Sequence, residues 1–157
     1  MRYWLMKSEP SVYGIDDLER DGSTGWEGVR NYQARNFMRD DMQVGDLALF
    51  YHSNANPPGV AGTMRVIRAA YPDETALNPE SPYFDPRHAQ KGHTDWVRVD
   101  LVFEQRFAHL IPLECLRADK HLQDLMVIRK GCRLSVQPVS GEHFARICAL
   151  GQALRGA

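Results

Sequence analysis

Leu47–Tyr51 is apolar without interruption, the pattern of a strand covered on both faces. Tyr3–Met6 reads as a first strand, stopped by Glu9-Pro10. Trp96–Phe103 alternates instead: Val97, Val99, Leu101 and Phe103 fall on one side, Arg98 and Asp100 on the other. Val60–Ala70 predicts a long strand in which Gly62 marks a bulge or the close approach of another backbone. Leu134–Val139 predicts a strand that Pro138 places partly at a sheet edge.

Between these strands the signals are helical or irregular. Ile15–Arg20 predicts a short helix, with Asp16 and Asp17 in its first turn and Gly22 just past its end. Asn31 is a suitable N-cap for a helix from Tyr32 to about Arg39. Pro112 fits the first position of a helix over Leu113–Leu116, and a second short helix is expected around Leu122–Met126. Ser140 caps a final helix carrying Phe144, Ile147 and Cys148 on one side. Ser53–Gly59 is a polar loop, and Pro72, Pro79, Pro82 and Pro86 keep Tyr71–Thr94 free of long elements. A loop of that length suits a lid, and its Tyr83 and Phe84 are the rings that would close it. The order lacks a regular βαβ rhythm, which favours antiparallel pairing and an α+β fold with a strongly curved or barrel-like sheet surrounded by short helices.

Length and composition narrow the picture. A chain of 157 residues suits one domain, residues 1–157. Its 19 basic and 20 acidic residues leave a formal charge of -1, which excludes the broad cationic surface of a non-specific duplex binder. The opening residues are too short an apolar run for a secretory signal, and no run approaches the ~18 residues of a membrane helix. Cys115, Cys132 and Cys148, widely spaced, fit a reducing, cytoplasmic setting and small buried side chains rather than zinc or redox chemistry. His88 and His93 lack a third ligand at metal spacing, so neither a metal nor a cofactor is expected.

Two segments concentrate candidate chemistry. Trp26-Glu27-Gly28-Val29-Arg30-Asn31-Tyr32 and Tyr51-His52-Ser53-Asn54 set aromatic rings beside amide, hydroxyl and guanidinium groups. Stacking plus edge hydrogen bonding is how a protein holds a planar heterocycle. Trp26, in a loop-like context, reads as a stacking wall or a core ring. Asn31 reads as an N-cap that can also face a base edge, and Tyr32 as a pocket wall or the start of a helix's apolar face. Lys7, Ser8 and Glu9 leave the first strand where loops usually carry function. If that end lies beside the end of Leu47–Tyr51, the two sets converge on one pocket. Arg30, Arg35 and Arg39 form the densest basic cluster, suited to a phosphate contact or to pairing with Glu27, Asp40 or Asp41. His52 alone reads most simply as a satisfied, half-buried imidazole. Trp4 and Trp96 read as strand residues packed in the core.

Trp4-Leu5-Met6-Lys7-Ser8-Glu9-Pro10, Trp26 through Arg39, Phe50-Tyr51-His52-Ser53 and Arg133-Leu134-Ser135-Val136-Gln137-Pro138-Val139 together resemble the EVE domain over nearly the whole chain. Glu27 departs from the aspartate that many members carry. The resemblance implies a PUA-like, mixed-sheet pseudo-barrel related to YTH readers of methylated adenine. It implies a pocket for a modified base, with modified cytosine in DNA the association of eukaryotic members. The expected ligand-binding residues are Lys7, Ser8, Glu9, Trp26, Val29, Arg30, Asn31, Tyr32, Tyr51, His52, Ser53 and Asn54. The expected partner is nucleic acid carrying a modified base, in DNA or RNA, or a modified nucleoside, bound by a monomer away from membranes. The competing reading is a small hydrolase of modified nucleosides or bases, with Lys7, Glu9 and His52 as its acid–base set.

Overall fold

The uninterrupted apolar runs become strands in the interior of a six-stranded sheet. A computed structural model describes residues 1–155, with side chains as far as Gln152. In chain order it contains β1 (Tyr3–Ser8), α1 (Pro10–Tyr13), α2 (Ile15–Asp21), β2 (Ser23–Trp26), α3 (Tyr32–Asn36), β3 (Leu47–His52), β4 (Gly59–Pro72), α4 (Pro86–Lys91), β5 (Val97–Pro112), α5 (Leu113–Ala118), β6 (Val136–Val139) and α6 (Gly141–Arg155). The sheet runs β2-β5-β4-β3-β1-β6 and does not close. The architecture is therefore α+β, as the sequence suggests, with an open sheet in place of a sealed barrel.

Alternation along each strand divides the interior in two. On one face Trp4, Met6, Ala48, Phe50, Met64, Val99 and Leu101 pack against Ile15, Leu18 and Met38. On the other, Leu5, Leu49, Tyr51, Val60, Phe107 and Ile111 pack against Leu116, Leu122, Phe144 and Ile147. β1 and β3 thus supply apolar side chains to both faces, which is why neither shows the polar alternation of a half-exposed strand. At the start of β3, buried Asp46 accepts from the Trp4 indole N–H at 3.0 Å, Arg2 N at 3.0 Å and Gln43 N at 2.9 Å.

Pairing is antiparallel throughout except between β1 and β3, which run parallel. The expectation from short turns is wrong for this pair because the chain between them is a long crossover holding α1, α2, β2 and α3, the kind of connection parallel strands require. Three further elements differ from expectation. Trp26 ends an edge strand rather than lying in a loop. The helix capped by Asn31 is α-helical to Asn36 and continues as a π turn over Phe37–Asp41. In place of a helix around Leu122–Met126 there are 3-10 turns at Lys120–Leu122 and Met126–Ile128. No helix among the described residues is long and apolar enough to cross a membrane.

Candidate functional site

The parallel pairing aligns Lys7 with Tyr51 and Ser8 with His52, so the chain leaves both strands on one side of the sheet. A cleft of about 1140 Å³ opens there. Lys7, Ser8, Glu9, Ser53 and Asn54 form one part of its lining, and Trp26–Asn31, running out of β2, another. Ser81, Pro82 and Tyr83 border it from the β4–β5 connection, and Cys132, Arg133 and Ser135 from the approach to β6.

The segment after β2 owes its shape to Asp73, whose side chain is fully buried. Asp73 Oδ2 accepts from Gly28 N at 2.9 Å and from Arg30 Nη1 at 3.0 Å, while Oδ1 accepts from Thr75 N at 3.1 Å and Thr75 Oγ1 at 2.5 Å. Burial opposes ionisation of this carboxyl, but the bonds from Thr75, Gly28 and Arg30 outweigh it and hold its pKa below the ordinary value. Arg30 also donates to the Tyr83 carbonyl, from Nη2 at 2.8 Å and Nε at 3.2 Å, tying the expected lid to the cleft wall. Gly28 sits at φ +83°, and a Cβ there would stand 2.6 Å from the Tyr83 ring. Glycine is thus needed both for the backbone conformation and for the ring lying over it.

Nine of the expected ligand-binding residues line the cleft: Lys7, Ser8, Glu9, Trp26, Val29, Arg30, Asn31, Ser53 and Asn54. Three do not. Tyr32 stacks on Trp96, with ring centroids 4.5 Å apart. Tyr51 points into the second apolar face, because alternation sends it opposite Phe50. His52 Nε2 accepts from Ile15 N at 3.1 Å, and burial pushes its pKa down, as for a satisfied imidazole. The acid–base set of Lys7, Glu9 and His52 is therefore not assembled in the cleft.

The lining residues carry different duties. Trp26 is only 7% exposed and meets Phe50 edge-on at 5.3 Å, so most of its ring is core rather than an open stacking wall. The Trp4 and Trp96 indoles donate to Asp46 and Asp85. No described group accepts the Trp26 N–H, and it is not sealed from solvent. Asn31 Oδ1 caps α3 by accepting from Ala34 N at 2.9 Å; its amide nitrogen has no partner among the described residues, and Asn31 lines the cleft. Ser8 Oγ donates to the Tyr13 carbonyl at 2.6 Å, and Glu9 accepts from Asn54 Nδ2 at 3.3 Å. Lys7 Nζ donates to the Cys132 carbonyl at 3.3 Å, and burial lowers its pKa.

The basic cluster resolves into structural pairs: Arg30 with Asp73, Arg39 with Asp40, while Arg35 bonds Asn36 and the Asp95 carbonyl. Glu27 pairs with Arg98, not with the cluster. Trp96 is buried as expected, but just ahead of β5, sandwiched between Tyr32 and His88. Among the described residues no three His, Cys, Asp or Glu gather as metal ligands. Sequence reasoning missed Asp73, Gly28 and the Cys132–Ser135 wall. The local signal for Asp73 is its spacing to Thr75, which suits a capped turn.

Comparison with known proteins bears on this geometry. The EVE domain model matches residues 2–150. Thymocyte nuclear protein 1 of Danio rerio is 40% identical over 166 residues, an alignment covering 94% of this chain and 71% of that protein. A Pseudomonas putida crystal structure is 50% identical with a TM-score of 0.89, covering 95% of this chain and 99% of that one. A crystal structure of human THYN1 in complex with 5-methylcytosine-containing DNA is 38% identical with a TM-score of 0.86, covering 96% and 98%. The match over nearly the whole length, in sequence and in fold, shows that the chain belongs to the EVE domain family.

Proposed function

We propose that this EVE domain binds nucleic acid and reads one modified base, a methylated or hydroxymethylated cytosine or a similar base, in the cleft beside the ends of β1 and β3. The observation that carries the reading is the human relative of the same fold held on 5-methylcytosine-containing DNA. The cleft supports it chemically. The Trp26 N–H and the Asn31 amide offer donors, while Ser8 Oγ and Glu9 offer acceptors. A flipped base is read through hydrogen bonds to its Watson–Crick edge, with apolar side chains against its faces. Val29, Pro82, Tyr83 and the exposed part of Trp26 are among the apolar surface available for that.

Contact with a methyl group alone supplies about 0.8 kcal/mol, roughly a fourfold preference. Stronger selection requires that the unmodified base leave a dry gap or an unpaired polar group. The test is fluorescence polarisation with single-stranded and duplex oligonucleotides carrying one plain, methylated or hydroxymethylated cytosine or adenine. We expect a preference of at least tenfold for one modified base. Asn31→Asp separates the two duties of that residue, since aspartate caps as well as asparagine but cannot donate. This variant is expected to keep wild-type stability and lose affinity about tenfold, the loss of one buried hydrogen bond. Equal binding of every base by the wild type would refute the reading; unchanged binding by Asn31→Asp would remove Asn31 from it.

A further inference from the structure

We propose that the loop Arg129–Arg133, together with Lys7 beneath it, holds the phosphates of the strand whose base enters the cleft. The inference rests on the base-reading function above and adds the partner's backbone to it.

The three arginines of the 30–39 cluster are engaged with Asp73, Asp40, Asn36 and backbone oxygens, so they are not free to meet a phosphate. Arg129, Lys130 and Arg133 differ. All three are exposed, and none has an ion-pair partner among the described residues. They lie within five consecutive residues, and the end of that loop, Cys132 and Arg133, lines the cleft. On a chain of net charge -1, this is a local concentration of unspent positive charge at the mouth of the binding site.

The loop is also fixed in place. Lys7 N donates to the Ser135 carbonyl at 2.9 Å and Lys7 Nζ to the Cys132 carbonyl at 3.3 Å. From below, Gln137 Nε2 donates to the Leu134 carbonyl at 2.7 Å. With Cys132 gripped directly and Leu134 and Ser135 fixed just beyond the loop, its cleft end loses little freedom on meeting a ligand. The Lys7 ammonium has three donors and spends one on Cys132; it stands 5.7 Å from the centre of the Tyr51 ring, and Lys7 lines the cleft. Burial disfavours its charged form, and a phosphate beside it would offset that cost.

Phosphate contacts position a nucleic acid without specifying its sequence, and each one lost lowers the salt dependence of binding. The experiment measures affinity for the preferred modified oligonucleotide, as DNA and as RNA, from 50 to 200 mM salt. Arg129→Gln/Lys130→Gln, in the loop but outside the cleft lining, is compared with Arg20→Gln/Arg39→Gln, which removes equal charge from exposed sites away from the loop. The loop variant is expected to lose about 1.4–1.8 from the log–log salt slope, which is about a tenfold difference across that range. Its ratio of modified to unmodified affinity stays at the wild-type value, and its affinity for the free modified nucleoside is unchanged. An unchanged slope with base preference intact would overturn this proposal alone. An equal loss in the control variant would overturn it too, by showing that net charge and not the loop is responsible. Failure of the wild type to prefer any base would overturn the base-reading function itself.

Discussion

Asp73→Ala is expected to lose about 3–5 kcal/mol of unfolding free energy, the usual cost of leaving a buried charge partner and its donors unpaired. Four bonds converge on this carboxylate: from Gly28, Arg30 and, twice, Thr75. Removing it strands the partly buried Arg30 guanidinium beside the Tyr83 carbonyl and frees the Gly28 turn. Urea denaturation checks the magnitude, and a loss under about 1 kcal/mol would mean that the network is not a stabilising centre. The same variant is expected to weaken base binding, because Asp73 shapes the wall on which Trp26 and Asn31 stand. The pH dependence follows from the sign of the shift. A carboxyl whose folded pKa lies below its unfolded value near 3.8 contributes stability that is complete above that value. The unfolded chain binds the proton first, so the contribution is lost as pH falls through the lower, folded pKa. The stability gap between wild type and Asp73→Asn should be flat at neutral pH and shrink on acidification below about 3.8. A gap that widens there would contradict a depressed pKa.

Gly62→Ala is the second large effect expected, about 3 kcal/mol, at the upper end of overpacking costs. The register between β4 and β5 shifts between Val60 and Gly62, where Val60 faces Ile111 and Gly62 faces Arg106. A Cβ at Gly62 would lie 2.1 Å from the Gln105 carbonyl oxygen. That neighbour is backbone in a paired strand and cannot rotate aside, so the strands must separate locally. For a chain of this size the loss corresponds to a fall in Tm of about 6–12 °C. A thermal scan showing no change would mean that the bulge absorbs the methyl group without disturbing the ladder.

The strands were the most legible part of the sequence, because buried runs and alternation are local signals. Gly62 was legible as a close approach for the same reason, as a residue without a side chain inside an apolar strand. The alternation that marks β5 stops at Phe103, where Glu104-Gln105-Arg106 interrupts it, yet the strand continues to Pro112 through register shifts against β4. The parallel pairing of β1 with β3 was not legible, since nothing local distinguishes a crossover from a series of turns. The candidate site shows the same division. Lys7, Ser8, Glu9, Ser53 and Asn54 share one cleft because the ends of β1 and β3 are neighbours, a long-range fact. Tyr51 and His52 combine an aromatic ring and a polar group at a strand end, the pattern of a pocket, but the pleat turns them to other surroundings. Asp73, which organises the wall, is 43 residues from Arg30 and bonded to it. No local pattern reveals such a partner.

The position of β1 between β3 and β6 has a kinetic consequence. During synthesis β1 can pair with β3 once His52 has emerged, but its other edge waits for residues 136–139. For most of that interval a strongly apolar strand presents open backbone groups, the feature that invites pairing with another chain. Docking of β6 ends this exposure and, through the Lys7–Ser135 bond, brings the basic loop over the cleft in the same step. The apolar β1 edge is thus covered and the binding loop put in place at the same late moment.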